Sequence, residues 1–157
     1  MDAAQNSPGY RQLIGEILVK RNVITQKQLE EALKLQKPEK EFVGEILVKL
    51  GYLQERDIVV ALMVQCGLPY IAVNKYTIDP QVIKLIPEEL ARSMRLIPLD
   101  KVGGVLSVVM INPLTLAMKK QLEKITRYRI ATFIATKTEI DEAIARWYRK
   151  ENNHDHL

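Results

Sequence analysis

The sequence predicts an α+β protein, with an N-terminal all-helical lobe of two tandem helix-turn-helix repeats followed by a small α/β lobe with a mainly antiparallel sheet. Three observations predict this class. One stretch of sequence occurs twice, at 13–36 and at 42–65. Within each copy, apolar residues recur at the three- and four-residue spacing of a helix. Downstream, two apolar runs, LIPL at 96–99 and VLSVVM at 105–110, flank a segment that ends in Gly-Gly, which is typical of a β-hairpin.

The repeat is most evident in the hexamer GEILVK, which occupies residues 15–20 and again 44–49. The two copies align without a gap, so that one constant offset, which takes Gly15 to Gly44, relates every pair of positions. Thr25 and Gln28 predict a capping box at the start of the second helix of the first copy. Gly51 predicts a left-handed end to the first helix of the second copy. Asn22 occupies the matching place in the first copy, and asparagine is the next-best residue for that conformation.

The chain after the second copy has a different pattern, because a glycine and a proline at 67–69 end the helix. We expect a short strand, then two short helices, a hairpin, and a helix, strand and helix. A capping box of Thr136 and Glu139 should open the last helix. The expected elements are a strand at 70–73, helices at 80–85 and 87–94, strands at 96–99 and 105–110, a helix at 114–126, a strand at 129–135 and a helix at 137–148. The domain boundaries follow: a flexible segment at 1–12, the duplicated helical lobe at 13–67, an α+β subdomain at 68–149 and a disordered tail at 150–157.

The composition fits a soluble globular chain, with 47% hydrophobic and 27% charged residues among 157. No apolar run approaches the roughly 20 residues of a membrane span, and the N-terminus lacks the pattern of a signal peptide, so we expect a cytoplasmic protein. The single cysteine, Cys66, cannot form a disulfide within the chain and is expected to be buried as a small hydrophobe. The net charge of +4 shows no basic block with interleaved aromatic residues. A nucleic-acid partner is therefore not expected.

Residues for chemistry are scarce. There is no GxxxxGK[ST] phosphate loop, and the glycines at 103–104 are better explained as a turn. His154 and His156 are the only histidines, and both lie in the polar tail. The acidic pairs at 88–89 and 141–142 fall in the first turns of predicted helices, where they complement the helix dipole. We therefore expect no enzyme, no catalytic residue, no metal site and no cofactor.

The doubled unit resembles the MshEN domain, a cyclic di-GMP-binding module at the N-termini of type II secretion and type IV pilus assembly ATPases. The motif of that family is a tandem of RLGxxΦΦxxGΦΦxxxxΦxxΦΦxxQ with a five-residue spacer, where Φ is apolar. It fits residues 13–65, with KPEKE at 37–41 as the spacer. The second lobe resembles the family's companion subdomain in the phrases GLPY at 67–70, LIPE at 85–88, IPL at 97–99 and IDEAIARWY at 140–148.

The resemblance implies a regulatory domain whose lobe at 13–67 binds cyclic di-GMP, with two copies of one unit meeting the two similar halves of one ligand. Gly15 and Gly44 would lie where a helix begins and let backbone N–H groups approach a phosphate. Gln36 and Gln65 would hydrogen-bond guanine edges, and apolar side chains would wall the ligand, although an apolar helical stripe is usually core. The implied ligand-binding positions are Leu13, Ile14, Gly15, Leu18, Asn22, Leu29, Leu33 and Gln36 in the first copy, and Phe42, Val43, Gly44, Leu47, Gly51, Ile58, Leu62 and Gln65 in the second.

Two departures from the family motif leave an alternative open. Leu13 and Phe42 replace the leading arginine of each copy, and Asn22 replaces the first inner glycine. Leucine can neither stack on a base nor donate a planar pair of hydrogen bonds, and phenylalanine can only stack, so binding should be weakened. Arg11 and Lys40, each two residues earlier, are candidates to compensate. In the alternative, the same fold is a protein–protein docking domain of a type II secretion or type IV pilus system. Its partner would be an assembly ATPase or a platform protein. The domain would then bind no nucleotide and would not insert into a membrane.

Overall fold

The structure is a computed structural model that describes residues 8–37, 41–112 and 116–154. The chain divides into two compact units, Met1–Gly67 and Leu68–Leu157. In the described residues the first unit contains four helices and no strand, and the second contains a three-stranded sheet with helices. The predicted α+β fold class is confirmed.

The helices of the first unit follow the repeat closely. They are α1 Pro8–Lys20, α2 Gln26–Leu35, α3 Val43–Lys49 and α4 Glu55–Cys66. The repeat offset relates the ends of α1 and α3, and also the starts of α2 and α4. Only α1 begins earlier than the repeat requires, at Pro8, because proline suits the first position of a helix. Residues 8–12, predicted to be flexible, therefore have helical backbone.

The predicted left-handed turns are confirmed in both copies. Asn22 has φ 58° and Gly51 has φ 78°. In the first copy the N–H of Val23 donates to the carbonyl of Leu18 at 3.0 Å, and the matching bond of the second copy joins Tyr52 to the carbonyl of Leu47, also at 3.0 Å. This pair of Schellman turns satisfies carbonyls at the ends of α1 and α3 and reverses the chain identically twice. The Thr25–Gln28 capping box at the start of α2 is likewise confirmed.

The core of the first unit is shared between the two copies. α1 packs against α4, and α2 packs against α3, in addition to the contacts within each copy. Most of the core residues come in pairs related by the repeat offset, which are Ile17 and Ile46, Leu18 and Leu47, Ile24 and Leu53, and Ala32 and Ala61. Because neither copy encloses these residues alone, the duplicated unit buries its apolar surface only as a pair.

The sheet of the second unit is mixed. Its strands are β1 Leu96–Val102, β2 Val105–Met110 and β3 Arg129–Ile134, in the order β1-β2-β3. β1 and β2 form the predicted antiparallel hairpin, with Gly103 at φ 58° in the turn. β3 pairs with β2 in parallel, so the chain must cross over between them, and helix α7 Leu116–Thr126 lies in that connection.

The other helices of the second unit are close to those predicted. They are a 3-10 helix at Val73–Lys75, α5 Pro80–Ile83, α6 Glu88–Met94 and α8 Lys137–His154. The strand predicted at 70–73 is wrong: Tyr70 forms one isolated bridge to Ile134, and the 3-10 helix then begins. α8 also continues beyond its predicted end, so residues 150–154, predicted to be disordered, have helical backbone.

The last helix is fixed at its start and in its middle. Its start carries the predicted capping box, in which the Glu139 N–H donates to the Thr136 hydroxyl at 3.1 Å and the Thr136 N–H donates to the Glu139 carboxylate at 3.2 Å. Further along, the buried Tyr148 hydroxyl donates to the carbonyl of Ile86 at 2.7 Å. No helix in the described ranges has the length and apolar character needed to cross a membrane.

Candidate ligand-binding site

The two motif glycines lie in helix crossings. Gly15 is buried in the interior of α1, so the prediction that it lies where a helix begins is wrong. A Cβ atom at position 15 would lie 2.5 Å from Leu29 Cδ1. Gly44 is near the start of α3, but it too is buried, and a Cβ there would lie 2.9 Å from Ile58 Cδ1. The space left by each glycine is thus occupied by a side chain of the following helix, which leaves no room there for a phosphate.

Most of the predicted apolar wall lies in the core. Leu18 and Leu47 are fully buried, Leu29, Val43 and Leu62 are nearly so, and Ile14 and Ile58 are partly buried against the same cluster. Leu33 differs, with 37% of its side chain exposed. Of the predicted apolar positions with described side chains in this lobe, Leu33 is thus exposed and Ile14 and Ile58 are partly exposed.

The remaining predicted positions lie at the ends of helices or within them. Asn22 and Gly51 are exposed in the two left-handed turns. Phe42, which is half-buried, is the N-cap residue of α3, whereas Leu13 lies within α1. The two residues that replace the family's arginines therefore occupy different places in their helices. Of Leu13 and Gln65 only the backbone is described, in α1 and in α4.

Gln36 is held to the end of the spacer between the copies. It caps the C-terminus of α2, and its side-chain N–H donates to the backbone carbonyl of Glu41 at 3.1 Å. The Glu41 carboxylate in turn forms an ion pair with Lys49 at the end of α3. Gln36 is therefore oriented by a link between the two copies, and its amide oxygen is the acceptor that it can offer to a ligand.

A second surface link joins the copies. The Tyr52 hydroxyl, just after α3, donates a hydrogen bond to the Glu31 carboxylate in α2. This hydrogen bond, followed by burial and by the negative charge of Glu31, raises the pKa of Tyr52. Together with the Gln36–Glu41 bond, it fixes α2 against the second copy along one side.

Sequence reasoning missed two features of the second copy. Gln54 and Asp57 form a capping box at the start of α4, with the Gln54 N–H donating to the Asp57 carboxylate at 2.8 Å. α4 also exposes three apolar side chains, namely Val60 at 45%, Met63 at 41% and Val64 at 61%. The signal was present in the alignment of the copies, because Glu31 and Lys34 of α2 correspond to Val60 and Met63 of α4 at the repeat offset.

The prediction that Cys66 is buried is wrong. The thiol is exposed at the last residue of α4, because the core contacts of this helix end one turn earlier, at Leu62. Partial burial nevertheless raises the pKa of the thiol, which lowers its thiolate fraction at neutral pH. Within the described ranges no three His, Cys, Asp or Glu residues form a group able to hold a metal ion.

A comparison with models of protein families shows to which family the chain belongs. A model of the MshEN domain matches residues 66–154, which is more than half of the sequence. The chain belongs to the MshEN domain family. The matched residues cover the second unit of this MshEN chain and the end of α4, whereas the tandem motif at 13–65 precedes them.

Two curated relatives of the MshEN chain are type IV pilus assembly ATPases. It is 33% identical to PilB of Myxococcus xanthus over 138 residues, which cover 88% of this chain and 24% of that protein. It is 31% identical to PilB of Thermus thermophilus over 84 residues, which cover 52% of this chain and 9% of that protein. The MshEN chain thus spans about a quarter of the first relative and less of the second.

Two solved structures share its fold. A structure of MshE with cdg, or cyclic di-GMP, has a TM-score of 0.69 and 29% identity, covering 86% of this chain and 98% of that one. The N-terminal domain of XpsE has a TM-score of 0.70 and 20% identity, covering 85% of this chain and 92% of that one. This chain therefore shares its fold with the structure of MshE with cdg and with the N-terminal domain of XpsE.

Proposed function

We propose that this MshEN chain is a non-catalytic, cytoplasmic regulatory domain that binds cyclic di-GMP through its tandem repeat. The observation that carries the proposal is the likeness to MshE with cdg at 29% identity over 86% of this chain. Because the second unit holds little more than half of the residues, such coverage must include much of the duplicated lobe. The relationship thus extends to the part of the chain that carries the repeat.

The pseudo-symmetry of the first unit supports this ligand. Cyclic di-GMP consists of two identical nucleotide halves, and the two copies share the same turn and the same core positions. We assign guanine contacts to Gln36 and Gln65, and apolar contacts to Leu33, Ile14 and Ile58. Leu18, Leu29, Leu47 and Leu62 would support this surface from the core. Gly15 and Gly44 would act by setting the closeness of the helices, rather than by contacting phosphate.

The missing arginines set the expected strength of binding. A bidentate arginine contact to guanine contributes about 1–3 kcal/mol of discrimination, so losing two of them weakens the complex by roughly one to four powers of ten. Leu13 cannot replace such a contact, and Phe42 can supply only stacking. We therefore expect weak binding, in the micromolar range or above.

Titration calorimetry of the purified chain with cyclic di-GMP tests the proposal. The expected result is saturable binding of one ligand per chain, absent with GMP. Gln36→Leu should abolish or strongly reduce the affinity, since it removes the amide from the surface. Gln121→Leu makes the same change at an exposed position of α7 and should have no effect. Absence of binding heat, together with an unchanged melting temperature at millimolar ligand, would reject cyclic di-GMP as the ligand.

A second candidate function is protein docking, and the exposed apolar face of α4 favours it. Val60, Met63 and Val64 are exposed on α4, and the equivalent positions of α2 carry Glu31, Lys34 and Leu35. In this alternative the face binds an assembly ATPase or a platform protein of a type II secretion or type IV pilus system. Neither function requires ATP turnover, so hydrolysis above that of a mock preparation would contradict both.

A further inference from the structure

The net charge of the chain is concentrated in one part of the second unit. Residues 100–129 contain six Lys or Arg and two Asp or Glu, a net charge of +4, which equals the net charge of the whole chain. The excess of positive charge thus falls within this segment, although the basic residues are not contiguous in the sequence. We define the basic surface as five residues of this segment, Lys101, Lys120, Lys124, Arg127 and Arg129.

Lys101, Arg127 and Arg129 lie at the hairpin end of the sheet, where the alternation of side chains along the strands places Lys101 and Arg129 on opposite faces. The Lys101 ammonium lies 5.8 Å from the centre of the Tyr128 ring, and Tyr128 separates Arg127 from Arg129. The Arg129 N–H donates to the carbonyl of Gly104 in the hairpin turn at 2.9 Å. Arg127 follows the end of α7, so the helix end, the hairpin turn and the start of β3 converge here.

α7 extends the basic surface away from the turn. Lys120 and Lys124 are four residues apart, which places them on one side of α7. Arg127 follows just beyond the end of the helix, where its backbone is left-handed at φ 64°. Met118 and Leu122 are buried on the other side. Like charges at this spacing destabilise a helix by roughly 0.2–0.5 kcal/mol per pair, so a bound anionic surface would relieve an existing repulsion.

The two carboxylates of the segment form no ion pair with these cations among the residues that the structure describes. In the described ranges, none of the five residues of the basic surface forms an ion pair. Glu123 instead accepts a hydrogen bond from the N–H of Ile130 at 3.4 Å, which holds it against β3. The field of the five cations therefore extends into solvent with little local compensation.

Two apolar side chains near these cations in the sequence are exposed. Val102, at the hairpin turn, is 73% exposed, and Ile125 on α7 is 46% exposed. The strand register aligns Val102 with Val105 and Val105 with Arg129, so Val102 and Arg129 lie on the same face of the sheet. The surface thus mixes single apolar side chains with long basic ones.

This mixture fits an anionic lipid bilayer better than an acidic protein. Protein–protein interfaces have a contiguous apolar core from which lysine is depleted. An amphipathic element at a bilayer combines Lys and Arg near the headgroups with apolar side chains at the acyl boundary. A nucleic acid is disfavoured because Tyr128 is the single aromatic residue of this segment, and its hydroxyl already accepts a hydrogen bond from Lys101 at 3.5 Å.

We propose that the basic surface binds the second unit reversibly to a membrane surface rich in anionic phospholipid. Each Lys or Arg near such a surface contributes about 1 kcal/mol, so five of them suffice for reversible adsorption without any inserted helix. This attraction is screened within about 10 Å at moderate ionic strength. The adsorption would be independent of the ligand proposed for the first unit.

Vesicle flotation of the whole chain tests the proposal. The expected result is binding to vesicles of phosphatidylcholine with phosphatidylglycerol, no binding to phosphatidylcholine alone, and loss of binding at high salt. Lys120→Gln with Lys124→Gln should lower the partition coefficient roughly 25-fold, which is about fivefold per lysine. The matched control is Lys27→Gln with Lys34→Gln, two exposed lysines of α2 in the first unit, which gives the same composition and net charge.

The outcomes separate the explanations. If both double variants lose binding equally, total charge rather than the basic surface is responsible, and the proposal is wrong. Absence of binding to the anionic vesicles at low salt also overturns it and leaves an acidic protein as the partner of this surface. Val102→Ser should weaken binding to anionic vesicles without changing its salt dependence, because it removes an apolar contact and no charge.

Discussion

Gly15 and Leu29 are in such close contact that a methyl group on the glycine would overlap the leucine, with 2.5 Å between the added Cβ and Leu29 Cδ1. The same relationship recurs one repeat later between Gly44 and Ile58. In each copy the hexamer GEILVK therefore brings one glycine to a helix crossing and two consecutive apolar residues into the shared core. This packing is sufficient to explain why the hexamer occurs twice, before any ligand is considered.

We predict that Gly15→Ala destabilises the protein by about 1–2 kcal/mol, although alanine is the better helix former by about 1 kcal/mol. The added methyl group would meet three atoms of Leu29 within 3.3 Å. Unfolding in urea, with the midpoint and slope compared with those of the wild type, measures the change. Leu29→Val should recover part of the loss in the Gly15→Ala background, because it shortens the side chain that is overlapped.

Gly44→Ala provides the matched comparison. Only the terminal Cδ1 atom of Ile58 lies within 3 Å of the added Cβ, and this flexible end can turn away. We therefore expect a change of less than about 1 kcal/mol, since the gain in helix propensity offsets the displacement. If Gly15→Ala and Gly44→Ala lose the same amount of stability, the helix crossing at Gly15 is not tighter than the crossing at Gly44.

The sequence predicted the duplicated unit well because its signals can be read along the chain. Alignment alone reveals the repeat, and the capping box at Thr25 and the left-handed turns at Asn22 and Gly51 each depend on residues only a few positions apart. The role of the glycines was not predictable in the same way. Whether the space beside Gly15 is open or filled depends on Leu29, which lies on a different helix.

The two left-handed turns allow the same turn position to be tested in both copies, once by adding a glycine and once by removing one. Asn22→Gly should stabilise the protein by about 0.5–1 kcal/mol, because glycine adopts positive φ without the cost that a Cβ imposes. Gly51→Ala should destabilise it by a similar amount, although no atom lies within 4 Å of the added Cβ. Thermal unfolding measures both changes. A neutral Gly51→Ala would mean that the turn relaxes out of its left-handed conformation.

The candidate site was only partly predictable, because burial depends on how the copies pack. The apolar positions of the motif fall on one stripe, yet Leu33 is partly exposed and its repeat equivalent Leu62 is buried. Identical motif positions thus have different environments in the two copies. The exposed apolar face of α4 arises from positions at which the two copies differ. The identical positions of the repeat therefore do not reveal it.

The surroundings of Tyr70 predict how the stability of the protein changes at alkaline pH. Its hydroxyl donates to both carboxylate oxygens of Glu139, at 3.1 and 2.9 Å. Burial, followed by this hydrogen bond and by the charge of Glu139, raises the pKa of Tyr70 above its usual value. Since the folded pKa is higher than the unfolded pKa of about 10, the stabilisation is fully present below pH 10 and is lost as the pH rises through the folded pKa.

Absorbance at the tyrosinate band during an alkaline titration measures this pKa, with Tyr70→Phe assigning the signal. Glu139→Gln should lower the pKa of Tyr70 only in part, because burial is the largest cause and remains. Glutamine can still accept the hydrogen bond from the Thr136 N–H, so the start of α8 is retained. An unchanged titration in Glu139→Gln would mean that the carboxylate contributes nothing to the shift.

The exposed face of α4 provides a prediction that separates the two proposed functions. Val60→Glu with Met63→Lys places on α4 the residues that α2 carries at the same repeat positions. Because both positions are exposed, stability should change by less than about 0.5 kcal/mol for each substitution. Affinity for cyclic di-GMP should be unchanged, whereas co-purification with the pilus or secretion ATPase and its platform should be lost. Retained co-purification would exclude this face as the docking surface.

The last prediction concerns the two positions where the family's arginine is missing. Leu13→Arg with Phe42→Arg should strengthen binding of cyclic di-GMP by one or more powers of ten, because each guanidinium can stack on a base and donate two parallel hydrogen bonds. Since Leu13 lies within α1 and Phe42 caps α3, the two single variants should differ in their effects. Calorimetry of both single variants and the double variant measures the contributions.

Positive charge alone would also attract a dianionic ligand, and a matched control separates that effect. Gln26→Arg with Leu35→Arg adds the same charge at two exposed positions of α2. A gain from general electrostatics would appear in both double variants and decline as salt is added, whereas a bidentate contact depends on position and persists better in salt. If the two double variants bind equally, or if the wild-type chain already binds at nanomolar concentration, then other residues make the guanine contacts and the missing arginines do not limit affinity.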